Sequence, residues 1–228
     1  MLYCGSHQMG NGNMNNKNWG WVNGFLGVVI FSGSLPATRM AVMDLNPWFV
    51  TTARASIAAV LGILLLWLLK QPQPKRQDLP ALLCVVVGVV VGFPLLTALA
   101  LQHTTSAHTI VFVGLLPLCT ALFAVWRGGE TPQPLFWLFS SIGAACVAGY
   151  ALFSSDSAPW YADVLMLAAV IVCGLGYAEG ARLSRHLGGW QVISWALVLA
   201  LPLMLVISVF NLPTDFGLVS ASSWWGLA

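Results

Sequence analysis

Charge is what this sequence has least of. Lys, Arg, Asp and Glu make up 7% of its 228 residues, against about a quarter in an ordinary soluble domain, so a water-facing surface cannot be covered. Basic clusters are scarce as well: the net charge is +2, and the densest group is Lys70, Lys75 and Arg76. That is too little to neutralise a phosphate backbone, which excludes a nucleic-acid partner. Paired acids and His or Cys groups with metal spacing are missing, so nothing calls for a metal, a cofactor or an intramembrane catalytic centre. Residues 1–18 form a polar leader with no apolar h-region, so they are neither a secretory nor a lipoprotein signal. Their Asn, Gly and Ser content reads as disordered, and Met14 is an alternative start.

Apolar sequence fills the space that charge leaves. Hydrophobic residues reach 58% and the mean hydropathy is +0.83, so lipid is the main solvent. Runs close to the ~20 residues that cross a bilayer occur near 19–38, 47–70, 79–101, 106–126, 134–153, 160–181 and 190–210, and an eighth opens at Ser222. The fold class is therefore an all-α integral membrane bundle. Pro47, Pro80, Pro134 and Pro159 stand at helix starts, where a missing amide proton costs nothing. Pro94, Pro117 and Pro202 fall inside spans and are expected to kink them. Cys84, Cys119, Cys146 and Cys173 lie in apolar runs as small packing residues, and Cys4 lies in the leader. Trp19, Trp21, Trp48, Trp160, Trp190, Trp224 and Trp225 sit at span ends, as interfacial anchors do.

With the amino terminus inside, Lys17, Lys70, Lys75, Arg76, Arg127, Arg182 and Arg185 all fall at cytoplasmic ends, seven of the nine basic residues. Only Arg39 and Arg54 depart from that pattern, and both lie within or at the ends of helices. A shift of 143 positions lays Gly33 to Arg39 on Gly176 to Arg182 and sets the first two spans on the sixth and seventh. Five spans separate the copies, so they cross the membrane with opposite polarity, the inverted repeat common among secondary transporters. The division is residues 19–153 as a first five-helix repeat and 160–228 as part of a second.

Several segments together carry a family resemblance: Phe31 to Arg39 followed by Ala41, Val42 and Pro47; Ala53-Arg54; Thr97 to His108; Leu116 to Ala124; and Gly128-Gly129-Glu130. On these the chain from Trp19 onward resembles the EamA-type branch of the drug/metabolite transporter superfamily. The resemblance implies two inverted five-helix repeats around a central cavity that moves small metabolites, amino acids or drugs, often outward, across a bacterial inner membrane. One departure is that Ser32 separates Phe31 from Gly33, where relatives often set an aromatic directly before glycine.

Six residues are candidates for the substrate path. Arg54 stands seven residues past Pro47, about 10 Å below the outer surface at 1.5 Å per residue, where a charge must face protein or a water-filled cavity. A structural hydrogen bond is the plainer alternative. Arg39, at the outer end of the first span, is expected to snorkel to the headgroups. Glu179 is the one acidic residue deep within a span; it could bind a cation or relay protons with Arg182, or form a simple i,i+3 ion pair. Tyr177, beside it, is the aromatic of most interest, and Gln102 and His103 sit at the outer link. His103 and His108 flank that link, and a polar turn histidine is the ordinary reading for both. Gly20 with Gly24, Gly88 with Gly92 and Gly176 with Gly180 read as packing notches.

The expected function is a secondary transporter, with a non-transporting membrane subunit and an intramembrane enzyme as alternatives. The partners are a small-molecule solute and the lipid bilayer, and a second copy of the chain is a further candidate. The 143-residue offset sets Ala228 against Val85, inside the third span. The sequence is thus expected to be a truncated form whose complete version has its last helix ending near roughly position 296 under a two-repeat architecture.

Overall fold

The computed structural model describes Val22 and residues 24–129, 131–153, 159–213 and 219–227. These residues are helical, with no strand among them. The helices are α1 (Gly24–Asp44), α2 (Pro47–Leu68), α3 (Arg76–Leu101), α4 (Ser106–Gly128), α5 (Pro134–Phe153), α6 (Trp160–Leu187), α7 (Gly189–Phe210) and α8 (Ala221–Leu227). Six of them, α1 to α4 with α6 and α7, are long and apolar enough to cross a bilayer, and α5 is also apolar.

Proline chemistry shapes several of these helices. Pro47 opens α2, and the Asn46 side chain caps it by accepting from the Trp48 amide at 2.9 Å, which satisfies one orphan donor of the first turn. In α3 a wider π-helical stretch, Val86–Gly92, immediately precedes Pro94, and in α4 the helix breaks after Val113 and restarts at Leu116 with Pro117 in its first turn. Both interruptions absorb the hydrogen bond that proline cannot donate. Pro202 is carried within α7.

One boundary differs from the sequence reading. The first span does not end near residue 38 but continues to Asp44, so Arg39 lies more than a turn inside the helix. The reading missed this because Arg39 and Asp44 interrupt the hydropathy although the backbone stays helical.

At the centre of the bundle, α6 packs against α3, α4 and α7, and α2 runs along α7. Close approach depends on glycine: a methyl on Gly88 would lie 2.3 Å from the Val172 carbonyl oxygen and 3.0 Å from the Cα of Gly176. Gly24 has no neighbour within 4 Å among the described residues, and Gly20, its expected partner, lies outside them. Cys173 is buried, but Cys146 is exposed and does not pack in a core of the described residues as expected.

The two largest of four apolar clusters join the helices. Ala55, Leu82, Val85, Val192 and Met204 join α2, α3 and α7. Leu35, Ala41, Phe49, Leu101 and Leu227 join α1, α2, α3 and α8. The α8 end is held on α1 by Asp44, whose Oδ2 accepts from the Ser220 amide at 3.1 Å, and the Ser223 hydroxyl lies 2.9 Å from the same oxygen and 2.8 Å from the Met40 carbonyl oxygen.

Candidate functional site

Five helices enclose a cavity of about 260 Å³. Ser34 and Thr38 reach it from α1, Thr51 and Arg54 from α2, Phe93 and Thr97 from α3, Tyr177 from α6, and Ile193 and Leu197 from α7. Its walls are mostly apolar, so each polar group stands out.

Among the described residues Arg54 is the single charge in the lining. One of its guanidinium nitrogens donates to Thr38 Oγ1 at 2.8 Å, and that hydroxyl donates in turn to the Ser34 carbonyl at 2.7 Å. Arg54 has no carboxylate partner among the described residues, because the four acids described are engaged elsewhere. Asp44 takes the serines of the α8 end, Asp78 faces His186 at 3.1 Å, Asp163 faces His108 at 2.7 Å, and Glu179 takes Arg127 and Arg182. The charge is thus open to a ligand.

Tyr177 is 39% exposed and also lines a larger cleft of about 1110 Å³ between α4, α5 and α6, which extends to Gly129 and Arg185. It therefore borders both spaces.

Glu179, two residues on, does not face the Arg54 cavity. It is fully buried, with Oε1 accepting from Arg127 Nε at 2.6 Å and Oε2 from Arg182 at 2.9 Å. The i,i+3 partner was legible in the sequence; Arg127, from α4, was read only as an orientation signal. Arg39 does not snorkel: its guanidinium donates to the carbonyl oxygen of Leu101 at the end of α3, one of the orphan acceptors of a helix terminus. Gln102 lies in a shallow polar recess with Asp44 and Asn46, and His103 stacks edge-on against Tyr161 with centroids 5.0 Å apart. Both are exposed at the end of α3, away from the cavity lining. His108 is no exposed turn residue; it is 2% exposed and bound to Asp163 of α6.

Sequence reasoning missed the threonines. Thr38, Thr51 and Thr97 are buried on the cavity wall, yet a mid-helix threonine ordinarily bonds its own backbone, and nothing in their spacing marked these three.

The EamA-like transporter family matches residues 18–154, more than half of the chain. The chain belongs to the EamA-like transporter family. Among its relatives, a Bacillus subtilis protein named uncharacterized transporter YdeK is 59% identical over 215 residues, covering 94% of this chain and 75% of that protein. A Chlamydia trachomatis S-adenosylmethionine/S-adenosylhomocysteine transporter is 29% identical over 197 residues. That match covers 80% of this chain and 59% of the relative, so the chain spans well under two thirds of that protein's length. This EamA-like chain is accordingly a multi-pass membrane protein of small-molecule transport, a transporter rather than an enzyme.

Proposed function

We propose that the protein is a secondary transporter that carries small metabolites, amino acids or drugs out of a bacterial cell by alternating access, with the Arg54 cavity as its solute site. The observation that carries this reading is a guanidinium without a carboxylate partner among the described residues, on the wall of a cavity shared by five helices. A charge at that depth is costly without a partner, and a passing solute supplies one. The Chlamydia relative, named for an amino-acid-derived solute, is in keeping with a polar metabolite.

Two inverted repeats fit this reading. Three pairs of residues, each 143 positions apart, line the same cavity: Ser34 with Tyr177, Val50 with Ile193, and Arg54 with Leu197. A cavity on the axis relating two repeats would draw its lining from such pairs. The packing of α1 on α8 is likewise matched by that of α6 on α3, and α2 lies on its own counterpart α7.

In this scheme Tyr177 is the moving partition between cavity and cleft. Glu179 is a latch joining α4 to α6 at the end where Lys70, Arg76, Arg127 and Arg182 gather, the cytoplasmic end of an inner-membrane protein whose amino terminus is inside. Gln102, His103 and Arg39 belong to the opposite mouth. Efflux from proteoliposomes holding the full-length protein, with a broad metabolite panel, tests the proposal: solute-specific flux is expected, and no flux with any solute counts against it.

A further inference from the structure

Resting on the reading of the Arg54 cavity as a solute site, we infer that it recognises a carboxylate and that its solutes are small organic acids with a compact apolar body.

The donors are already in place. Thr38 fixes the guanidinium by accepting one N–H while its own proton goes to the Ser34 carbonyl. An arginine has five donors in a planar fork, so most remain for a two-pronged contact with a carboxylate. Thr51 and Thr97, 4% and 3% exposed, line the same cavity, and their hydroxyls have no hydrogen-bond partner. Buried hydroxyls without partners are rare in folded proteins, and here two lie within the wall of a cavity whose cation has no carboxylate partner among the described residues. Their neighbours on α2 behave ordinarily: Thr52 and Ser56 donate to the carbonyls of Trp48 and Thr52, each at 2.7 Å. Thr51 makes no such bond, and its hydroxyl oxygen is covered by protein at the cavity wall.

The remaining wall defines the rest of the solute. Apart from Arg54 and the hydroxyl side chains, the lining is apolar, with Val50 and Ala55 from α2, Val90 and Phe93 from α3, and Ile193 and Leu197 from α7. A solute lies with its acid group at Arg54 and its hydrocarbon against this apolar wall. No carboxylate lines the cavity among the described residues, so an ammonium group has no ionic partner, and a simple acid is preferred to the corresponding amino acid.

The test is equilibrium binding to the purified full-length protein in detergent, followed by tryptophan fluorescence and calorimetry, with 4-methylpentanoate, 4-methylpentanamide, 4-methylpentylamine and leucine as probes. The acid is expected to bind at least about tenfold more tightly than its amide or amine, as loss of a charge-assisted bond requires, and more tightly than leucine. Arg54→Ala should abolish the preference for acid over amide. Equal binding of acid and amide by the unmodified protein, or no binding of the acid, overturns the inference without recourse to any variant. Flux of some solute that 4-methylpentanoate neither joins nor inhibits overturns the carboxylate assignment and leaves the transporter reading standing. Arg54-dependent binding of the acid with no flux of any solute upholds the site and removes the transport function.

Discussion

Glu179 and Arg127 meet across the α4–α6 interface, with Oε1 2.6 Å from Nε and the carboxylate wholly buried. Arg182 supplies the second contact from Glu179's own helix. Removing either arginine leaves a buried carboxylate half-satisfied, which is costly, but only Arg127 also joins α4 to α6. Arg127→Ala should therefore lower the unfolding temperature in detergent by more than Arg182→Ala does. Equal shifts would mean that the interhelical contact does not hold α4 in place.

Gly88 offers a sharper packing test. An alanine there sets its Cβ 2.3 Å from a backbone oxygen of α6, which cannot swing away as a side chain could. Overpacking of this kind costs about 1–3 kcal/mol, or roughly 2–4 °C of unfolding temperature per kcal/mol at this length. Gly143, with no neighbour within 4 Å among the described residues, is the control, and Gly143→Ala should leave thermal unfolding unchanged.

The two histidines near the α3–α4 link should behave differently. His108→Ala removes the partner of Asp163 from a buried site and is expected to cost about 1–3 kcal/mol. His103→Ala alters an exposed ring contact and should stay within about 0.5 kcal/mol. Thermal unfolding of both variants decides the matter, and His108→Gln should recover part of the loss by restoring a hydrogen bond.

Membrane orientation is open to labelling. Gln73 and Gln102, both exposed, flank opposite ends of α3, whose 26 residues span about 39 Å at 1.5 Å each. In a background without the native cysteines, Gln73→Cys should react only from the cytoplasm and Gln102→Cys only from outside. The reverse pattern would invert the orientation read from Lys and Arg.

What the sequence made legible follows from what lipid demands. Apolar length marked the spans, proline marked the starts of α2 and α5, and the depth of Arg54 marked a charge in need of a partner. Less legible were features set by which helices touch. Arg127 looked like an orientation signal because its partner Glu179 is 52 residues away. Thr51 and Thr97 looked like ordinary helix threonines because only the assembled cavity reveals that their hydroxyls are unused. Arg39 was assigned to the headgroups because its acceptor is a main-chain carbonyl, which no residue pattern announces.

The most direct test of the central claim is solute efflux from proteoliposomes by the full-length protein beside its Arg54→Ala, Arg54→Lys and Arg39→Ala variants at matched reconstitution. The unmodified protein should carry solute; Arg54→Ala should lose at least about tenfold in flux, as expected for a lost charge-assisted contact. Arg54→Lys should also be poor, since an ammonium cannot reproduce the two-pronged fork. Arg39→Ala should stay closer to the unmodified protein, because its guanidinium serves a helix end. Equal flux through Arg54→Ala and the unmodified protein would contradict the account.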